Sequence, residues 1–357
     1  MKSQTHSMAT QIPFTEGVDL ASEKVGGVAL LANDEFFAPK ENLLKAVAPV
    51  FIPDKYTEFG KWMDGWETRR KRTSGHDWCV IQLGLPGEIH GVNVDTAHFL
   101  GNHPEQCSIE ACAVPENQSA KNFDSSAVPW QEILPKTKLF SGCANLIPIH
   151  ARGRFTHLRL NIYPDGGVAR LRVYGEVKPD WKKLRAMPSA LGSALDLAAV
   201  ENGGKVVTCN DMFFGPKENL ILPGRATTMG EGWETRRKRG PGHDWIVIRL
   251  GTAGKIQKLE IDTNHFKGNF PESCSLEGSL LTEQNLGPID FIERRDLPWQ
   301  EILPRTQLQG HHRHFFEKEL HKKTTLESFN FIRLNIFPDG GISRLRVYGV
   351  PAEGLEK

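Results

Sequence analysis

Along much of the chain, apolar residues return at every second position. In "HLRLNIYP", Leu158, Leu160 and Ile162 alternate with Arg159, Asn161 and Tyr163. Successive side chains of an extended chain point to opposite faces, so this pattern predicts a strand with one face inward. The "PDGG" that follows predicts a Pro-led turn with glycine at positive φ. "ARLRVYG" then alternates again, with Leu171 and Val173 inward. "WCVIQLG" and "WIVIRLG" are short apolar runs ending in Gly. Long helical periodicity is absent. Short strands separated by Gly, Pro and Asp turns predict an all-β sandwich. A short helix is expected either in the Pro-broken stretch "EVKPDWKKLRAMPSALGSALD" or near "PWQEIL".

The pattern occurs twice. "NDEFFAPKENL" at Asn33 returns as "NDMFFGPKENL" at Asn210, and "GWETRRKRTSGHDW" at Gly65 returns as "GWETRRKRGPGHDW" at Gly232. "VDTAHFLGNHPEQCSIE" at Val94 returns as "IDTNHFKGNFPESCSLE" at Ile261. "PWQEILP" recurs, and "LRLNIYPDGGVARLRVYG" at Leu158 returns as "IRLNIFPDGGISRLRVYG" at Ile332. The order of the blocks is preserved, so a unit of roughly 160 residues is duplicated, long enough for each copy to be a domain. The expected division is an extension at 1–18, repeat 1 at 19–176, a linker at 177–195, repeat 2 at 196–350 and a tail at 351–357. The first copy has ten extra residues between Leu44 and Gly65. The second has a longer His- and Lys-rich segment, "GHHRHFFEKELHKKTT".

Composition narrows the function. The 357 residues are 39% hydrophobic and 24% charged, with 44 Lys plus Arg against 43 Asp plus Glu. A net charge of +1 provides no broad field for nucleic acid or an anionic membrane, so neither is expected as a partner. The six cysteines form no CxxC pair, and only Cys107 and Cys274 fall at matching repeat positions. Free thiols are expected rather than a zinc ribbon or disulfide framework. The N-terminus has no apolar signal region, no apolar run approaches a membrane span, and "GLEK" is no peroxisomal address, so the cytoplasm is the expected location.

The duplicated phrase concentrates the candidate chemistry. Arg69, Arg70 and Arg72 crowd together with Lys71; in an extended segment Arg70 and Arg72 share a face. Guanidinium forks bind carboxylates bidentately. Glu67, His76 and Asp77 are candidate proton-transfer groups, and Trp66 and Trp78 are candidate walls against water. The counterparts are Glu234, His243, Asp244, Arg236, Arg237, Arg239, Trp233 and Trp245. The competing reading is a structural corner, or a solvated basic loop of the kind that imitates a nuclear address.

A second constellation is Asp95, His98, His103 and Glu105, matched by Asp262, His265, Phe270 and Glu272. The third position is lost in the second copy, so DxxH is a poor metal site. No metal and no cofactor are expected; His98 and His265 read better as donors or proton shuttles, beside Asp95 and Asp262. "PDGG" with Arg170 and Arg172, matched by Arg344 and Arg346, reads as a tight turn with cross-strand charge pairs. Phe36 and Phe37 read as core, while Lys40, Glu41 and Asn42 could cap or line a site. No GxSxG, P-loop or GxGxxG is present.

Together these blocks, twice over and in order, resemble the allantoicase family across most of residues 19–350. The resemblance implies two tandem jelly-roll β-sandwich domains of the galactose-binding or discoidin-like kind, and a homo-oligomer. It implies hydrolysis of allantoate, a small ureide, to ureidoglycolate and urea. That substrate joins a carboxylate and two ureido groups at one carbon. Its leaving nitrogen needs a general acid, its carboxylate a guanidinium fork, best supplied by Arg70 or Arg72, and its water a base. The duplicated phrase contains all of these residue types, so a site is expected once per domain or at a domain or subunit interface. Two other classes stay open: a non-catalytic tandem jelly-roll binding protein, and a scaffold in which one copy has degenerated.

Overall fold

The computed structural model describes residues 13–114, 123, 125–186, 194–281, 291–292, 294 and 296–352. The chain divides into two compact units, 1–178 and 179–357. Most of the expected N-terminal extension and C-terminal tail, and part of the linker, lie outside the described residues.

In the first unit the strands are β1 (Val18–Asp19), β2 (Val28–Ala32), β3 (Tyr56–Thr57), β4 (Gly60–Lys61), β5 (Trp66–Glu67) and β6 (Asp77–Asp95). They continue with β7 (Gln106–Cys112), β8 (Gln131–Lys138), β9 (Ala144–Pro148), β10 (Phe155–Tyr163), β11 (Gly167–Val168) and β12 (Arg170–Val177). All main pairings are antiparallel, and the long β6 joins two layers. Its first part, Asp77 to Gln82, pairs with β10 and β2, and β10 continues to β7 and β8. Its second part, Gly87 to Asp95, pairs with β12 and β9, and β12 continues to β1. The change of partners falls at "GLPG", where Pro86 has no N–H to give to a ladder.

The apolar half of the alternation matches the burial of the sandwich: Leu158, Leu160, Ile162, Leu171 and Val173 are fully buried, and Arg159 and Tyr163 half-buried. Asn161 departs from the pattern: it is buried, its amide donating to Ser108 and Glu110 on the neighbouring strand. At "PDGG", Gly166 takes φ 139°, as a turn glycine should.

The second unit repeats the plan with β13 (Leu195–Asp196), β14 (Lys205–Cys209), β15 (Trp233–Glu234), β16 (Asp244–Asp262) and β17 (Ser273–Ser279). It ends with β18 (Gln300–Gln307), β19 (Arg313–Phe316), β20 (Ser328–Phe337), β21 (Gly341–Ile342) and β22 (Arg344–Pro351). Here β16 plays the part of β6, pairing with β14, β20, β22 and β19. β19 is the counterpart of β9, and the extra residues of the second copy lie in the loop after it.

A short helix, α1 (Trp181–Ala186), stands in the expected linker. At "QEILP" itself both copies are strand, β8 and β18. Ile133–Leu134 and Ile302–Leu303 are buried there, and antiparallel pairing with β7 and β17 overrides any local helical preference. No described helix is long and apolar enough to cross a membrane.

Candidate active site

The repeated "GWETRRKR" leaves the core as β5 and is sewn to the "PDGG" turn. Gly167 pairs with Glu67 and Val168 with Trp66. The Thr68 N–H donates to the Gly166 carbonyl at 3.1 Å, and the Gly166 N–H returns a bond to Thr68 Oγ1 at 3.1 Å. The Gly167 N–H donates to the Asn102 carbonyl at 2.8 Å, and a Cβ on Gly167 would overlap the Phe99 ring. Three segments distant in sequence therefore meet: 65–72, 99–102 and 164–168.

Most of the phrase's charged and aromatic groups support this corner. Trp66 is fully buried, with Nε1 donating to the Asp34 carbonyl at 2.9 Å. Arg69 Nε meets Asp34 Oδ2 at 2.8 Å, and its guanidinium lies 4.9 Å from the Phe36 ring. Burial raises the Asp34 carboxyl, but the N–H groups of Phe36 and Arg69 and the Arg69 guanidinium outweigh it and hold it below its usual range. Lys71 Nζ meets Asp77 Oδ1 at 2.6 Å, and the Lys71 N–H donates to Asp165 at 2.8 Å. Asp77 also accepts from Asn33 at 2.9 Å. Trp78 packs on a cluster of Val80, Cys112, Val114 and Phe123. His76 Nε2 lies 3.2 Å from Asn161 Oδ1, its ring against Tyr163. Arg70 and Arg72 point to solvent.

The second repeat reproduces the arrangement. Trp233 donates to the Asp211 carbonyl at 2.8 Å, Arg236 meets Asp211 at 2.9 Å and Lys238 meets Asp244 at 2.8 Å. Trp245 packs on Val247 and Phe331, His243 is exposed beside Phe337, and Arg237 and Arg239 are exposed.

Glu67 is different. It is buried yet faces a cavity of about 410 Å³, within the range of roughly 300–1,000 Å³ usual for small-molecule sites. Phe37, Phe51, Lys61, Met63, His98, Leu100, Gly101 and Asn102 complete the lining. Asn102 Nδ2 donates to Glu67 Oε1 at 2.6 Å. Burial pushes the Glu67 carboxyl above its usual range, and the Asn102 amide draws it back only in part. Because Oε1 accepts, an acid proton on Glu67 belongs on Oε2.

His98 stands in the left-handed region, φ 71°, stacked on Phe51 at 5.7 Å between ring centres. Its Nε2 lies 3.3 Å from the Pro49 carbonyl oxygen. A carbonyl only accepts, so Nε2 carries the hydrogen and Nδ1 of the neutral ring is the acceptor. Asp95 closes a local turn, accepting from the Ala97 N–H at 2.8 Å. Among the described residues no group of three or more His, Cys, Asp or Glu side chains gathers as metal ligands, Asp95, His98, His103 and Glu105 included.

The extra residues of the first copy build one wall of the cavity: Phe51, Lys61 and Met63 all come from between Leu44 and Gly65. Two arginines hold the wall. The expected cross-strand charge pair is present for Arg172, 3.6 Å from Asp19 of the neighbouring β1, but not for Arg170. Arg170 is instead fully buried and reaches into this segment, Nη2 to Asp64 Oδ2 at 2.7 Å and Nε to the Val47 carbonyl at 2.9 Å. Arg172 donates to the Ala46 carbonyl at 3.1 Å. Lys40 pairs with Glu35 and Glu41, and Asn42 donates to the Gly65 carbonyl at 2.9 Å.

The counterpart aromatic positions of the second repeat, which is ten residues shorter here, are more exposed. Phe36 is 37% exposed and Phe37 half-buried, so neither is core as expected; their counterparts Phe213 and Phe214 are 62% and 61% exposed. Glu234 still accepts from Asn269 at 2.5 Å, and His265 Nε2 lies 3.0 Å from the Ala226 carbonyl oxygen at φ 71°. Asp262, fully buried, pairs with Arg225 at 3.0 Å.

Residues 18–178 and 195–352 match a model of the allantoicase repeat. The chain is 48% identical over 335 residues to an allantoicase of Dictyostelium discoideum, covering 93% of this chain and 87% of that one. It is 46% identical over 343 residues to a probable allantoicase of Pseudomonas paraeruginosa, covering 96% and 98%. It superposes on the crystal structure of allantoicase from Saccharomyces cerevisiae with a TM-score of 0.79 at 34% identity, covering 96% and 98% of the two chains.

Proposed function

The chain belongs to the allantoicase family, and we propose that it hydrolyses allantoate to ureidoglycolate and urea at the cavity of its first repeat. A buried carboxyl, Glu67, raised by that burial and facing the cavity, carries the reading. Burial shifts this carboxyl toward its protonated form, the direction a general acid for the urea-leaving step requires. The non-catalytic alternative is not favoured, since full-length likeness to allantoicases accompanies this acid.

Glu67 gives the proton on Oε2 to the departing ureido nitrogen as the C–N bond breaks. The bond's electron pair goes to that nitrogen, and urea leaves. The remaining ureido nitrogen donates its lone pair to the same carbon and forms a C=N bond. Water adds there and loses a proton to Nδ1 of His98, which yields ureidoglycolate. Proton exchange with solvent resets both groups. Phe37, Phe51 and Met63 supply the apolar part of the cavity lining. The other candidates of the duplicated phrase hold the corner; Arg70 and Arg72 lie in solvent and are not part of the lining. A cytoplasmic homo-oligomer belongs to the same proposal: the six unpaired cysteines suit a reducing compartment, and the family resemblance implies the assembly.

The test is urea release from allantoate by the purified protein. Glu67→Gln should lower kcat by about 10²–10⁴-fold at an unchanged melting temperature, while Glu234→Gln stays near wild type. No urea from folded wild-type protein would end the enzymatic reading. Equal losses at both positions would end the assignment to the first repeat.

A further inference from the structure

A carboxylate substrate calls for a cation at the cavity. In the duplicated phrase Arg69 is taken by Asp34 and Lys71 by Asp77, while Arg70 and Arg72 are exposed and outside the lining; Arg170, from the "PDGG" block, is taken by Asp64. The cavity lining contains a single cationic side chain, Lys61. Among the described residues Lys61 has no carboxylate partner; its Nζ lies 4.6 Å from the centre of the Phe51 ring, another lining residue.

The segment that presents Lys61 is itself held in place. In the β3–β4 hairpin Tyr56 pairs with Lys61 and Thr57 with Gly60, which takes φ 136°. Phe59 at its tip packs on Phe36 at 4.5 Å between ring centres, and Lys55 Nζ sits 3.7 Å from the ring of Trp62. The hairpin belongs to the segment in which the first repeat is ten residues longer, and it has no counterpart among the described residues of the second repeat.

We infer that Lys61 binds the substrate's carboxylate and makes the first repeat selective for a ureido acid over an uncharged ureide. The inference rests on the proposed site at Glu67. An ammonium on a flexible stem is a point charge that follows a small carboxylate, without the fixed geometry of a guanidinium fork. Its contact with the carboxylate is present before and during C–N cleavage, so it acts as uniform binding and is read in KM.

The experiment compares Lys61→Met, Lys61→Arg, Arg70→Met, Arg72→Met and Glu67→Gln with wild type in urea release. It adds the inhibition constant of allantoate's carboxamide analogue, which lacks the negative charge. Lys61→Met should raise KM for allantoate roughly 10–100-fold, the scale of one charge-assisted hydrogen bond, with kcat little changed. Lys61→Arg should recover much of that loss, and the carboxamide should bind wild type and Lys61→Met alike. An unchanged KM in Lys61→Met beside an inactive Glu67→Gln would overturn the role of Lys61 and leave the site standing. A KM rise in Arg70→Met or Arg72→Met instead would assign the carboxylate to the arginines. Equal weakening of the carboxamide would make Lys61 a shape element rather than an anion site. An active Glu67→Gln would remove the site itself.

Discussion

Asn102 joins the chemistry through one hydrogen bond: its amide fixes which oxygen of Glu67 accepts and so which one holds the proton. Nothing in its own side chain titrates, and a search for acids, bases and arginines passes over it. The available signal was its return as Asn269 in the "GNHPE" and "GNFPE" blocks. Because the amide stabilises the carboxylate form, Asn102→Ala should raise the Glu67 carboxyl further. A general acid is lost as pH climbs through its pKa, so the alkaline limb of kcat/KM should move to higher pH in Asn102→Ala, with a lower maximum. A pH–rate profile checks this; a limb that stays put or moves to lower pH would remove Asn102 from the positioning of Glu67. The tryptophans teach the opposite lesson. Trp66 and Trp233 stand beside the charged run in sequence, yet both are fully buried supports with bonded indoles.

At the scale of elements, the segment from 45 to 64 builds one wall of the cavity in the first repeat. A surplus of ten residues was countable from the two copies, but its packing was not. It is stapled by Arg170, whose guanidinium meets Asp64 and two backbone carbonyls besides its neighbour's geometry-bound Ala169 carbonyl. Removing one partner of a buried ion pair leaves the other charge uncompensated, at a cost of about 3–5 kcal/mol. Asp64→Asn should therefore lower unfolding free energy on that scale and loosen the wall that holds Phe51 and Lys61. Denaturant melts read the first effect and KM for allantoate the second. A variant of full stability and normal KM would show that the segment stands without this pair. The strands at "PWQEIL" show the same dependence on partners: β7 and β17 supply the ladder that the local sequence does not announce.

Across the whole molecule, each repeat closes with the same half-buried aspartate. Asp19 accepts from the N–H groups of Val173 at 2.9 Å and Ala21 at 3.3 Å; Asp196 accepts from Val347 at 2.9 Å and Ala198 at 3.1 Å. Burial outweighs these bonds and Arg172 or Arg346, and pushes both carboxyls from 3.8 up to about 6. A raised folded pKa means that the native state holds more protons than the unfolded chain between these values. The stabilisation is complete below about pH 3.8 and is lost as pH rises through about 6. Linkage makes this roughly 1–3 kcal/mol for each aspartate. Asp19→Asn with Asp196→Asn should flatten that component of the slope in denaturant melts between pH 4 and 6. Identical slopes for wild type and the double variant would refute it.

Period-two alternation, turn residues and the ordered duplication of whole blocks made two tandem β-sandwiches and the family legible from the sequence alone. These are local or repeated signals, and strand burial follows directly from them. Which acid faces a cavity was decided only by the tertiary structure. Glu67 reads like Asp77 in the same charged phrase, until residues 34, 102 and 165 arrive from far along the chain. Asp77 then receives Lys71 and Asn33, while Glu67 receives one amide and empty space. A charge's role depends on what neutralises it and on how much water reaches it, and both are set by long-range packing that no stretch of sequence contains.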